Sequence, residues 1–165
     1  EGNYKGTRLE FIAKLGQIRE KMQVDIGFGD TVIPAPVQMQ FPVLLDFPSP
    51  EILAYSVETV IAEKFHAMIN LGELNSRMKD FYDLYHLLRP GKFDSAVLFQ
   101  AIAETFDNRG TVLPQNTILF SPEFAINEDR LKLWTAFLKK SKLESLDFEV
   151  VVQHIEQEIK KHLDH

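Results

Sequence analysis

Two stretches near the start of the chain alternate apolar and polar residues with a period of two. In Thr7–Ala13, Leu9, Phe11 and Ala13 share one face and Arg8 and Glu10 the other. In Met22–Phe28, Val24, Ile26 and Phe28 oppose Gln23 and Asp25. Such alternation predicts two half-buried strands, and the eight residues between them predict an antiparallel pair joined by a longer loop. Two strands cannot bury their own apolar face, so either the later helices or an upstream part is expected to complete that sheet. Five of the eight prolines (Pro34, Pro36, Pro42, Pro48 and Pro50) then crowd into one short stretch. Proline donates no ladder hydrogen bond and restricts the residue before it. Residues 31 to 50 therefore read as an extended crossing segment, with Asp30 as a turn residue leading into it.

Beyond the crossing the apolar period changes to that of a helix. Ser56 is placed to cap a helix running to Leu71, where Gly72 stops it. A second helix runs from about Arg77 to Leu88 and is closed by Pro90-Gly91. Asp94 caps a third, to about Phe106, and a loop with Gly110, Pro114 and Pro122 follows. Asn127 caps a fourth helix to about Lys140, which carries Trp134 on its core side. Asp147 caps a last one, whose Phe148, Val151, Val152, Ile155, Ile159 and Leu163 form an apolar stripe. The Lys139, Lys140, Lys142 cluster reads as a solvated helix end, where cations suit the helix dipole. The expected class is α+β: residues 1–48 as a partial β-sheet with its crossing segment, and residues 49–165 as a helical bundle.

Composition narrows the function. The chain has 165 residues, 45% hydrophobic and 25% charged, which is ordinary for one globular domain. No apolar run approaches the roughly 18 residues of a membrane span, and no basic, apolar-cored leader suggests export. With no cysteine, disulfides and thiolate chemistry are excluded. A net charge of −6 disfavours a broad nucleic-acid-coating surface, although a local basic groove is compatible with it.

Three places could carry chemistry. Asp25 shares a strand face with Gly27 and Gly29, which sets a carboxylate beside bare backbone that a ligand could approach closely. The bland alternative is an exposed edge strand ending in a glycine turn. Lys64 falls inside the apolar stripe of the first helix, with Val57, Val60, Ile61 and Met68 around it. An unpaired buried ammonium costs several kcal/mol, so this lysine must snorkel, pair or meet a ligand. Glu63 and His66 on the opposite face resemble half of a bridging-metal motif, but no second Glu-x-x-His occurs. On the second helix, Asp80 and Asp83 repel each other at i, i+3 unless something positive intervenes. Lys79 can pair with Asp83, and the segment reads either as a solvated charged face or as a site where Arg77 or Lys79 meets phosphate.

Taken together, Gln23-Val24-Asp25-Ile26-Gly27-Phe28-Gly29-Asp30, Ala62-Glu63-Lys64-Phe65-His66-Ala67-Met68 and Asn75-Ser76-Arg77-Met78-Lys79-Asp80-Phe81-Tyr82-Asp83-Leu84 resemble the AbiEii/AbiGii toxin family. Its members are nucleotidyltransferases of polymerase-β-like fold from abortive-infection and toxin–antitoxin operons. The resemblance implies a cytoplasmic, Mg²⁺-dependent transferase that moves a nucleoside monophosphate from NTP to an acceptor such as RNA, including tRNA 3′ ends, with a cognate antitoxin as partner. It assigns Asp25 as a metal-holding carboxylate, Lys64 to the nucleotide phosphates and Asp80 as a carboxylate from the helical part. Arg77, Lys79 and Asp83 are further nucleotide-binding candidates. The family's opening Gly-Ser and Asp-x-Asp motif has no counterpart here. Because the sequence opens at Glu1 without Met, the expectation is a C-terminal portion of such an enzyme, inactive as given, with an exposed apolar sheet face that promotes a homodimer. A rival from another class is a non-catalytic helical module that binds an antitoxin or itself.

Overall fold

The computed structural model describes residues 6–29, 32–114 and 116–163; Asp30 lies outside them. The chain is α+β and falls into two compact units, Glu1–Thr31 and Val32–His165.

The first unit is a β-hairpin of β1 (Gly6–Leu15) and β2 (Ile18–Gly27). The strands are antiparallel, with Leu9 opposite Val24, Phe11 opposite Met22 and Leu15 opposite Ile18. The connection is not a longer loop but a two-residue turn, Gly16-Gln17. Gly16 supplies the positive φ (+59°) that a tight hairpin turn of matching twist requires. Glu20, facing Ala13 on the apolar side, interrupts the alternation and hides the continuation of both strands. On that side Leu9, Phe11, Leu15, Ile18, Met22, Val24 and Ile26 are all more than a third exposed. A contiguous apolar face of this kind favours association. We expect the chain to sediment as a concentration-dependent dimer, and the Phe11→Lys, Val24→Lys double variant to shift it to monomer. A wild-type chain that stays monomeric at every concentration would overturn this.

The second unit opens in extended chain, as its prolines require, but the two ends of that stretch pair. Residues Val37–Gln40 (β3) and Glu51–Ala54 (β4) form a short antiparallel ladder, continued by the Phe41 N–H donating to the Pro50 carbonyl at 2.9 Å. Helix α1 (Val57–Leu71) starts where the Ser56 hydroxyl accepts the Thr59 N–H and stops at Gly72, φ +50°. Helix α2 (Met78–Leu87) is entered through Asn75, whose side-chain oxygen accepts the Arg77 N–H at 2.9 Å. Helix α3 (Ser95–Asn108) is capped by Asp94, which accepts from Ala96 and Val97. The expected loop after it contains a 3₁₀ turn, Ile118–Phe120, and a one-turn helix α4 (Pro122–Ala125). Ser121 caps α4 and Pro122 occupies its first turn, a start signal too short to show a period. Helix α5 (Glu128–Lys140) is capped by Asn127, and α6 (Phe148–Leu163) begins with Asp147 accepting the Glu149 N–H at 2.8 Å.

The core lies among these helices. α1 packs on α3 and α2, and α2 packs on α6. Phe81 meets the Phe148 ring edge-on at 5.1 Å between centroids, and Trp134 lies 5.2 Å from the same ring. The Trp134 indole N–H is satisfied by the Leu146 carbonyl at 2.7 Å, so the ring is buried without an orphaned donor. Lys139, Lys140 and Lys142 are exposed at the end of α5. Among the described residues no helix is long and apolar enough to cross a membrane.

Candidate functional site

Lys64 resolves its place in the apolar stripe by pairing. Its side chain leaves α1 toward α2, and Nζ lies 2.7 Å from Asp80 Oδ1 and 2.7 Å from Asp83 Oδ2. This is the positive charge that the i, i+3 aspartates need, and it comes from another helix. Asp80 is not part of a solvated face: it is 3% exposed. Burial opposes the Lys64 charge more than any other single influence. The hydrogen bonds and charges of the two carboxylates together outweigh it and raise the Lys64 pKa above its usual value. Asp83 mirrors this. Burial pushes its carboxyl up, but hydrogen bonds from Lys64 and Lys79 bring the net value below the ordinary range.

Two further cations complete the group. Arg77 Nε lies 2.9 Å from Asp80 Oδ2, although that oxygen makes no well-directed hydrogen bond. Lys79 Nζ lies 2.6 Å from Asp83 Oδ2. Both side chains are mostly exposed, so they can turn to an incoming anion at little cost. They line a cleft of about 450 Å³ between the start of α2 and the face of α5, with Asp80 in its wall and Lys140, Leu133, Ala136 and Phe137 opposite. The α5 contribution was not visible in the sequence. Lys140 there looks like any basic residue at a helix C-terminus, and nothing in its neighbours announces the cleft.

Glu63 and His66 face α3 instead. Arg109 donates to Glu63 at 2.9 Å, and His66 Nε2 shares a hydrogen bond with the Thr111 hydroxyl at 3.1 Å. Burial and the nearby Arg109 charge lower the His66 pKa, which keeps the ring neutral at physiological pH. These contacts tie α1 to the end of α3.

Asp25 belongs to the hairpin unit, on β2. Its carboxylate accepts Arg8 Nε at 2.7 Å and Nη2 at 3.2 Å from the strand opposite, and Gln23 Nε2 at 2.8 Å. The Arg8 hydrogen bond first, and then that from Gln23, hold its carboxyl below the usual range. Gly29 keeps open space on its Cβ side at φ +85°. A divalent cation does not fit what these residues offer by themselves. Both Asp25 oxygens are engaged, and among the described residues no three acids or histidines gather into a metal-holding cluster.

An α+β chain in which a lysine is clasped by two helical carboxylates, beside a cleft rimmed with arginine and lysine, is a protein whose central polar site is built from charge. The chain belongs to the AbiEii family, the nucleotidyltransferase toxins of type IV toxin–antitoxin systems, whose family model matches residues 1–154. No curated protein and no solved structure gives a match.

Proposed function

We propose that this chain supplies the helical half of a nucleotidyltransferase site that binds NTP and passes its nucleoside monophosphate to an RNA acceptor in the cytoplasm. In this reading Lys64 is the phosphate contact, Asp80 holds and orients it, and Arg77 and Lys79 receive the outer phosphates. The observation that supports it is the double clasp of Lys64 by Asp80 and Asp83. The clasp holds a cation against Asp80, which lines a cleft that also carries the exposed cations Arg77 and Lys79. A cognate antitoxin would answer the charge and the exposed apolar surface of the free toxin.

One observation favours the rival reading of a non-catalytic interaction module. Lys64 already has its charge answered on both sides, as a purely structural lysine would. Titration with Mg²⁺·NTP, followed by NMR, separates the two. The transferase reading expects shifts concentrated on Lys64, Arg77, Lys79 and Asp80 at sub-millimolar nucleotide. Unchanged spectra at millimolar NTP would leave the interaction module.

A further inference from the structure

A second cleft, of about 330 Å³, lies between the C-terminal half of α2 and the turn joining α5 to α6. Its volume falls at the lower end of the ~300–1,000 Å³ typical of small-ligand sites. Tyr82, Tyr85 and His86 line it with flat π-surfaces, and the Tyr82 and His86 rings are 4.4 Å apart. Arg89 and Lys142 bring two permanent positive charges against the single acid Glu144, and the Arg89 guanidinium lies over the Tyr85 ring at 5.5 Å. An inorganic anion would have no use for the rings, and a neutral aromatic would have none for the cations. A ligand with both a planar heterocycle and a phosphate uses the whole lining.

Lys142 adds an independent observation. Its φ of +54° makes it the one non-glycine residue in the left-handed region among the described residues. It stands just past the end of α5, where Leu143 N–H reaches back to the Leu138 carbonyl at 3.0 Å, a helix stop that normally employs glycine. A Cβ is penalised there, so a side chain at this position carries a cost in backbone energy. This one lines the cleft. The cleft also adjoins the site already described: Tyr82 lines one, Phe137 lines the other, and their rings are 5.9 Å apart.

We propose that this cleft holds one nucleotide unit, its base against the Tyr82, Tyr85 and His86 surfaces and its phosphate on Arg89 and Lys142. The proposal rests on the transferase reading for the class of ligand. The unit could belong to a free mononucleotide or to the end of a single-stranded RNA, and the experiment distinguishes them. AMP and a short single-stranded oligoribonucleotide are each titrated into wild type, Lys142→Gly and Arg89→Ala, reading NMR shifts at Tyr82, Tyr85 and His86. Lys142→Gly should melt about 2–4 °C higher, because glycine suits the left-handed stop, yet bind roughly tenfold more weakly for want of a charge-assisted contact. Weakening of both probes identifies a free nucleotide; weakening of the oligonucleotide alone identifies a strand end. Wild type that shifts with neither probe, or variants that bind both as wild type does, would overturn the proposal. Asp80→Asn, in the other cleft, should leave the Tyr85 shifts unchanged. Its loss of NTP binding tests the transferase reading separately, so either can fail alone.

Discussion

Lys64→Ala should lower the stability of the helical unit by about 3 kcal/mol, seen as a fall of roughly 6–12 °C in melting temperature. The cost comes less from the lysine than from what it leaves behind. Asp80 is almost wholly buried, and its Oδ1 would lose its hydrogen-bonded cation while Oδ2 keeps only an off-axis Arg77. An acid buried in that position is left without adequate compensation for its charge. Asp80→Asn should cost less, about 1 kcal/mol, because Lys64 retains Asp83. The Lys64→Met, Asp80→Leu double variant should recover most of the loss, since an apolar pair of similar volume needs no desolvation of charge. The pH dependence gives a further readout. Asp83 has a depressed folded pKa, so its contribution is present above the unfolded value and is lost as pH falls through the folded one. The gap between wild type and Lys64→Ala should therefore narrow in acid below about pH 4. Equal melting temperatures at pH 7 would mean that the clasp carries no net stability.

The same pair marks the boundary of what local pattern can reveal. Four helix starts carried a visible signal, because a capping Ser56, Asp94, Asn127 or Asp147 acts on amides two or three residues away. The stop at Gly72 was legible for the same reason. Lys64 stood out as an anomaly in an apolar stripe, and the Asp80–Asp83 repulsion as another. That each is the remedy for the other depends on α1 and α2 lying side by side, which no window along the chain encodes. The β3–β4 ladder was hidden because its strands are only four residues each and proline-rich chain separates them. The Gly16-Gln17 turn was hidden by one glutamate on the wrong face. Lys142 is the sharpest case: its residue type says helix end, and only its φ distinguishes it from Lys139 and Lys140.

Phe81→Ala should be the most damaging single change, costing about 3–5 kcal/mol. The ring is 1% exposed and joins three elements: it lies on α2, meets Phe148 of α6 at 5.1 Å and Phe124 of α4 at 5.9 Å between centroids. Its removal empties the centre of the core, and aromatic neighbours on separate helices cannot all collapse into the space. Phe81→Leu should cost about 1–2 kcal/mol, because it keeps most of the volume. The effect reaches the polar site through the backbone, since Asp80 is the preceding residue and its carboxylate can meet Lys64 only while α2 is pinned against α6. With the pin gone, α2 can rotate and the 2.7 Å contact is no longer enforced. Lys64→Ala should then cost less in the Phe81→Ala background than in wild type, with a coupling of at least about 1 kcal/mol in a double-mutant cycle. A cycle additive within about 0.5 kcal/mol would mean that the clasp holds its own geometry. In that case the aromatic core and the charged site would be independent parts of one helix.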